Sequence, residues 1–190
     1  MQTPTDEELM DRTMSGEATA LGLLVQRHHG PLLGYLYRMC NANCTLAEDL
    51  AQETFIRVMR QANYQADRPF KPWLYAIATN LARDHAKSAD TRYAVCLDKS
   101  DALPDAAPGP EELALAAEQG REVAQAIGSL PIGYRAAIVL RFYAGLSLQE
   151  IAAALDIPLG TVKSRLSVGC RRLRERLSNT YEEDEAHNGL

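Results

Sequence analysis

Residues 147–166 read SLQEIAAALDIPLGTVKSRL, and this stretch decides the fold class. Ser147 followed three residues later by Glu150 has the pattern of a capping box. The hydroxyl and the carboxylate can each take a backbone N–H that the first turn of a helix leaves unbonded. The connector Asp156-Ile157-Pro158 ends that helix, and Pro158 suits the first position of the next, where its missing N–H goes unneeded. Apolar Ile151, Leu155, Ile157, Val162 and Leu166 would lock two short helices at a steep angle. Ala152 and Ala153 keep the first helix slim enough for close approach. The spacing predicts a helix-turn-helix.

The second helix continues to about Leu177, with Val162, Leu166, Cys170, Leu173 and Leu177 as its inward stripe at intervals of three and four. Its outer face carries Lys163, Ser164, Ser167 and Val168, a set that fits a major groove. Arg165, Arg171 and Arg172 flank that face and can neutralise phosphates. A basic amphipathic helix that only packs would share these features. The capped helix and alanine pair before it favour nucleic-acid binding.

The overall charge of −5 runs against such a role until its distribution is considered. Between Gly160 and Leu177, Lys163, Arg165, Arg171, Arg172, Arg174 and Arg176 face a single acid, Glu175. The residues after Leu177 carry Glu182, Glu183, Asp184 and Glu185 with no base. The acidity is thus partitioned away from one basic helix.

Working outward, the 190 residues suffice for one ordinary domain or two small ones. Aromatic residues make up only 6%, and Ala and Leu abound, so helices are expected rather than a sandwich or barrel. No apolar run reaches the roughly 18 residues of a membrane span. The stretch MQTPTDEELMDR is acidic and lacks the basic-then-apolar order of a secretory signal, so a cytoplasmic location is expected. Cys40 and Cys44 are spaced to share a helical face, with His28 and His29 upstream. No second pair completes a zinc site, and ordinary packing is the expectation.

Residues 88–112 read SADTRYAVCLDKSDALPDAAPGPEE. Pro104, Pro108, Pro110 and six acids against Arg92 and Lys99 make a poor helix and a poor core. This segment is expected to be a flexible acidic linker. It separates residues 1–87 from residues 113–178, and residues 179–190 form an acidic tail. The first block reads as helices over Ala20–Cys40, from Thr45 (with Glu48, a capping box) to Ala62, and over Trp73–Lys87. Asp49, Gln52 and Glu53 form an acidic and polar stripe on the second of these. Spacing alone does not separate an interface there from a solvated face. The second block adds helices over Glu112–Ile127 and Gly133–Tyr143.

At this level of detail the residues resemble a known family. AEDLAQETFIRV (Ala47–Val58) resembles region 2 of bacterial sigma factors. FKPWLYAIATNLARDHAK (Phe70–Lys87) is similar to the segment that follows it. LPIGYRAAIVLRFYAGLSLQEIAAALDIPLGTVKSRL (Leu130–Leu166) is similar to region 4. With only regions 2 and 4 joined by a linker, the chain resembles the extracytoplasmic-function (ECF) group. The resemblance implies an all-α protein of two small helical domains that binds core RNA polymerase and directs initiation at promoters.

It also implies roles. Asp49, Gln52, Glu53 and Phe55 fall where members dock on the polymerase β′ clamp. Gln65, Asp67, Arg68, Phe70, Asn80, Arg83 and Lys87 fall where members read the −10 element as an opened strand. Thr161, Lys163, Ser164, Arg165, Ser167, Val168, Arg171 and Arg172 fall on the −35-reading helix. Further partners implied are the β flap and an anti-sigma factor, often membrane-anchored. No cofactor, metal or catalytic group is expected. Val168 and Cys170 stand where many relatives carry arginine, and the helix ending at Lys87 is less basic than is usual. Alternatives are a helix-turn-helix regulator that does not join polymerase and a sigma-like decoy for an anti-sigma protein.

Overall fold

The computed structural model describes residues 3–60, 64, 68–90 and 120–187, which form helices and no strand. The helices are α1 (Asp6–Met14), α2 (Ala18–Met39), α3 (Cys44–Arg60), α4 (Phe70–Asp90), α5 (described over residues 120–128), α6 (Ile132–Phe142), α7 (Leu148–Leu155) and α8 (Leu159–His187).

The first block is a four-helix unit. α2 buries Ala20, Leu24, His28, Leu32, Tyr35, Leu36 and Met39, a stripe at intervals of three and four. α3 answers with Ala47, Leu50, Ala51, Thr54, Phe55 and Val58. Thr54 is tolerated in the core because its hydroxyl donates to the Leu50 carbonyl at 2.6 Å. Tyr35 and Thr79 share a buried hydrogen bond at 2.6 Å, and the Tyr35 and Tyr75 rings meet edge to face at 5.0 Å. Thr79 in turn donates to the Tyr75 carbonyl. Burial pushes the Tyr75 phenol up to about 12.

The structure changes several expectations here. α1 is a helix beyond those expected, and Thr5 and Glu8 form a full capping box at its start. α3 begins one residue earlier than Thr45, and its cap is Asn43, whose Oδ1 accepts from the Leu46 amide at 2.9 Å. The reason lies upstream: Asn41 and Ala42 both take left-handed backbone angles (φ 57° and 62°), which turns the chain and brings Asn43 to the helix entrance. That turn also separates Cys40, at the end of α2, from Cys44, at the start of α3, so the two cysteines do not share a helix. α4 starts at Phe70 rather than Trp73 and runs to Asp90, so the first residues of the expected linker are helical. Residues 91–112 lie outside the described residues.

In the second block, α6 buries five consecutive residues, Ala136 to Leu140. A helix with one apolar stripe cannot do this, so α6 is covered on several sides, by α8, α7, α2 and α4. Gly169 lets α8 approach it, since a Cβ there would come within 2.7 Å of Ile138 Cδ1. α7 has the expected capping box, with the Ser147 amide donating to Glu150 at 2.7 Å and the Glu150 amide to the Ser147 hydroxyl at 3.3 Å. It ends at Asp156 in the left-handed region (φ 52°). Pro158 is the capping residue rather than the first helical one, its carbonyl accepting from Thr161 and Val162. α8 continues well past Leu177 into the acidic tail, because Glu and Ala sustain a helix once it is nucleated.

The two blocks pack against each other. α4 lies on α7, and α6 touches both α2 and α4. Arg135 of α6 donates to the Met39 carbonyl at 2.6 Å, and also to Leu130 and Gly128 within its own block. Gly128 sits against Asn41, and a Cβ there would overlap Asn41 Oδ1 and lie 3.0 Å from its Cα. The Arg38 guanidinium lies 3.8 Å from the centre of the Tyr143 ring.

Candidate nucleic-acid and polymerase interfaces

The helix-turn-helix presents its expected face. Lys163, Ser164 and Ser167 are exposed on α8, Thr161 and Val168 are half-buried, and Val162 is fully buried against the core. Ser164 donates to the Thr161 carbonyl at 3.0 Å, which fixes its rotamer on the outer face. Arg171 and Arg172 are exposed; Arg171 lies 3.9 Å from Glu175, and Arg172 lies over the Tyr134 ring at 5.0 Å. Both guanidiniums can reach a phosphate without refolding the helix.

Arg165 behaves differently. It is half-buried and folds onto α6, where a Cβ on Gly133 would come within 3.3 Å of its guanidinium carbon. In this arrangement Arg165 braces α8 on α6 and does not extend beside Lys163. Sequence spacing placed it beside the groove-facing set, and the space left by a glycine on another helix redirected it.

On α3, Asp49 and Gln52 are exposed and Glu53 is half-exposed. Glu53 accepts from Arg57 Nε at 2.9 Å, so part of the stripe's charge is neutralised within the helix. Phe55 is 8% exposed and stacks on His29 with ring centres 6.4 Å apart. It belongs to the core rather than to a contact surface, a correction to its expected docking role. The physical reason is its place on the Ala51–Phe55–Val58 buried face.

On α4, Asn80 and Lys87 are exposed and Arg83 is half-buried, with intervals of three and four that align them along one side. Arg68 is exposed just before the helix. Phe70 is wholly buried, in contact with His28 (5.3 Å between ring centres), Trp73 (5.8 Å) and Tyr64 (6.3 Å). It cannot offer its ring to an unstacked base, so its expected contact role is corrected as well. Gln65 and Asp67 lie outside the described residues.

Cys40 and Cys170 are free thiols, and burial pushes that of Cys40 up to about 12, which leaves it protonated and a poor nucleophile. No group of three or more His, Cys, Asp or Glu side chains placed to hold a metal occurs among the described residues. None of the described helices is long and apolar enough to cross a membrane. An apolar groove of about 610 Å³ lies between α5, α6 and α8, lined by Ile127, Phe142, Leu173 and Leu177 among others.

Two stretches of the chain match known families. Residues 24–92 match the family model described as Sigma-70 region 2, and residues 120–173 match Sigma-70, region 4. The ECF RNA polymerase sigma factor SigE of Mycolicibacterium smegmatis is 36% identical over 184 residues, covering 95% of this chain and 70% of that protein. A solved structure of CnrH in complex with the cytosolic domain of CnrY aligns with a TM-score of 0.70 at 27% identity, covering 92% of this chain and 97% of CnrH. The sigma factor RpoE of Bartonella quintana, solved with the anti-sigma factor NepR, shares the fold at a TM-score of 0.60 and 23% identity, over 82% of this chain and 96% of that one.

Proposed function

From the premise that the chain belongs to the ECF sigma factors, which join core RNA polymerase and direct it to promoters, we propose a division of labour among its residues. Asp49, Gln52 and Glu53 on α3 dock on a basic surface of the polymerase clamp. Arg68, Asn80, Arg83 and Lys87 contact the opened −10 element. Lys163, Ser164, Ser167 and Val168 enter the major groove at −35, with Thr161 at its edge and Arg171 and Arg172 on phosphates. Residues 1–87 and 113–178 act as the two functional domains. Sigma factors are initiation factors without an enzymatic activity of their own, and this chain acts by binding alone.

The observation that carries this reading is the face of α8. The Ser167 hydroxyl and the Lys163 ammonium stand exposed as donors, and the Ser164 hydroxyl, whose proton goes to the Thr161 carbonyl, as an acceptor, on a helix whose other side is locked to α6 and α7. Such a face gives donors for base edges and a rigid register.

The packing of the two blocks bears on mechanism. Elements centred at −10 and −35 are about 25 base pairs apart, or about 85 Å of duplex at about 3.4 Å per pair. Here α7 lies directly on α4. Both elements cannot be engaged in this arrangement, so binding to polymerase must hold the blocks apart. A protein that grips the closed form would keep the factor inactive, by linkage. An anti-sigma factor is the partner proposed for that role.

Run-off transcription with core polymerase tests the whole reading. The wild-type protein is expected to give promoter-dependent transcripts, and Lys163→Ala with Ser167→Ala to lose preference at −35. Transcription equal to that of core polymerase alone would refute it.

A further inference from the structure

The helix that precedes the region-2 match is tied to the start of α4 by a long-range hydrogen bond. Glu7 Oε1 accepts from the backbone amide of Phe70 at 2.9 Å, across 63 residues of sequence. Phe70 is the first residue of α4, and its amide has no carbonyl within the helix to bind. Pro72 removes a second donor from the same turn. A carboxylate at that point satisfies an orphan amide and faces the positive end of the helix dipole.

α1 is itself anchored on its other side. Asp6 accepts from Arg27 and makes a 2.6 Å hydrogen bond with His28 Nε2, both residues of α2. Arg27 also donates to the Pro4 carbonyl. His28 packs on Phe70, and Phe70 sits with Tyr64 and Trp73 in one aromatic cluster. Tyr64 closes the set by donating to the Arg68 carbonyl. The chain from Asp6 through Glu7, Phe70 and Tyr64 to Arg68 is therefore continuous.

We propose that Glu7 is a positioning residue for −10 recognition: it fixes where α4 begins, and through the aromatic cluster it sets the placement of Arg68 and Asn80 against the opened strand. This rests on the reading of Arg68 and Asn80 as −10 contacts given above. A purely structural role for Glu7 would lower stability, and with it transcription from every promoter alike. A positioning role acts on the ratio between promoters.

The test uses holoenzyme assembled with saturating sigma factor, on the native promoter and on single-base changes at −10 and at −35. Glu7→Ala is expected to reduce discrimination at −10 by about fivefold, the equivalent of a lost helix cap, and to leave discrimination at −35 unchanged. Glu7→Gln, which keeps an acceptor oxygen, should restore most of the loss and serves where the alanine variant folds poorly. A uniform loss on all templates with the −10 ratio intact would overturn the proposal. Arg68→Ala and Asn80→Ala are measured alongside. If they alter −10 discrimination and Glu7→Ala does not, the positioning role fails alone. If neither changes it, the −10 assignment itself is wrong and the proposal falls with it.

Discussion

The guanidinium of Arg135 on α6 donates through Nη1 to the carbonyl oxygen of Met39, the last residue of α2, at 2.6 Å. The same fork takes the carbonyls of Gly128 and Leu130 at the end of α5. Three acceptors at two helix C-termini thus converge on one cation, where the negative ends of both helix dipoles favour it. Arg135→Ala should weaken the contact between the blocks by about 2 kcal/mol, the range for hydrogen bonds to a charged donor. Small-angle scattering should then show a larger radius of gyration for the free protein. An unchanged radius would mean that other contacts hold the blocks together.

Gly128 offers an independent route to the same interface. Gly128→Ala places a methyl over Asn41 Oδ1 and 3.0 Å from its Cα, and should destabilise the packing by about 1–3 kcal/mol. Asn41→Gly in the same chain should recover part of this, since glycine accepts the left-handed angle there and removes Oδ1. Thermal melts of the two singles and the double would show the coupling. Strict additivity would deny the contact.

Reversal of charge on α3 tests docking. Asp49→Lys with Glu53→Lys sets like charge against a basic partner and should cost about 3 kcal/mol in affinity for core polymerase. The fold should survive, because neither side chain is buried. Arg57→Ala is the converse: it frees Glu53 from its 2.9 Å pair and should tighten binding slightly. Equal affinities for all three proteins would remove the stripe from the interface.

Val168 tests the groove assignment. It is half-buried on the edge of the exposed face of α8, so an arginine there can lay its stem on the helix and extend its fork outward. Val168→Arg should tighten −35 binding by about 1–3 kcal/mol where it meets a guanine. Where it meets phosphate, affinity should rise on every sequence and the salt slope should steepen by about one unit. If valine already touches a thymine methyl, the preference at that base pair should relax. A binding series over salt and single-base variants separates these outcomes, and no change in any would place this face outside the groove.

The capping box of α7 gives a dependence on pH. Hydrogen bonds from Ser147, with a smaller contribution from the charge of Lys71 on α4, hold the Glu150 carboxyl below its ordinary 4.5. A lowered carboxyl contributes stability that is fully present above the unfolded value and is lost as pH falls through the folded one. Ser147→Ala should therefore cost about 1 kcal/mol at neutral pH. The gap to wild type should narrow as pH drops below 4.5. A gap that stays constant down to pH 3 would assign the loss to the hydroxyl alone.

Local rules carried the reading of the second block a long way. A Ser-x-x-Glu pair, an alanine-lined helix and a stripe at intervals of three and four made the helix-turn-helix legible, because each feature is satisfied within a turn or two of chain. The same rule failed at Thr45, where a matching Glu48 was present but two left-handed residues upstream placed Asn43 at the cap. At Thr5 the same pattern, completed by Glu8, does open a helix. The all-α class follows from composition and from helical periodicity. These are properties of neighbours in sequence, and sequence by itself determines them.

What only the tertiary structure decided are the fates of single side chains that look outward by spacing. Phe70 is in the core because His28, Tyr64 and Trp73 close over it. Arg165 turns to α6 because Gly133 leaves room for it. Glu7 finds the amide of Phe70, and Arg135 the carbonyl of Met39, across 63 and 96 residues. No periodicity encodes such pairs: burial and hydrogen-bond partners depend on which helix faces meet, and that is set by the packing of the whole chain.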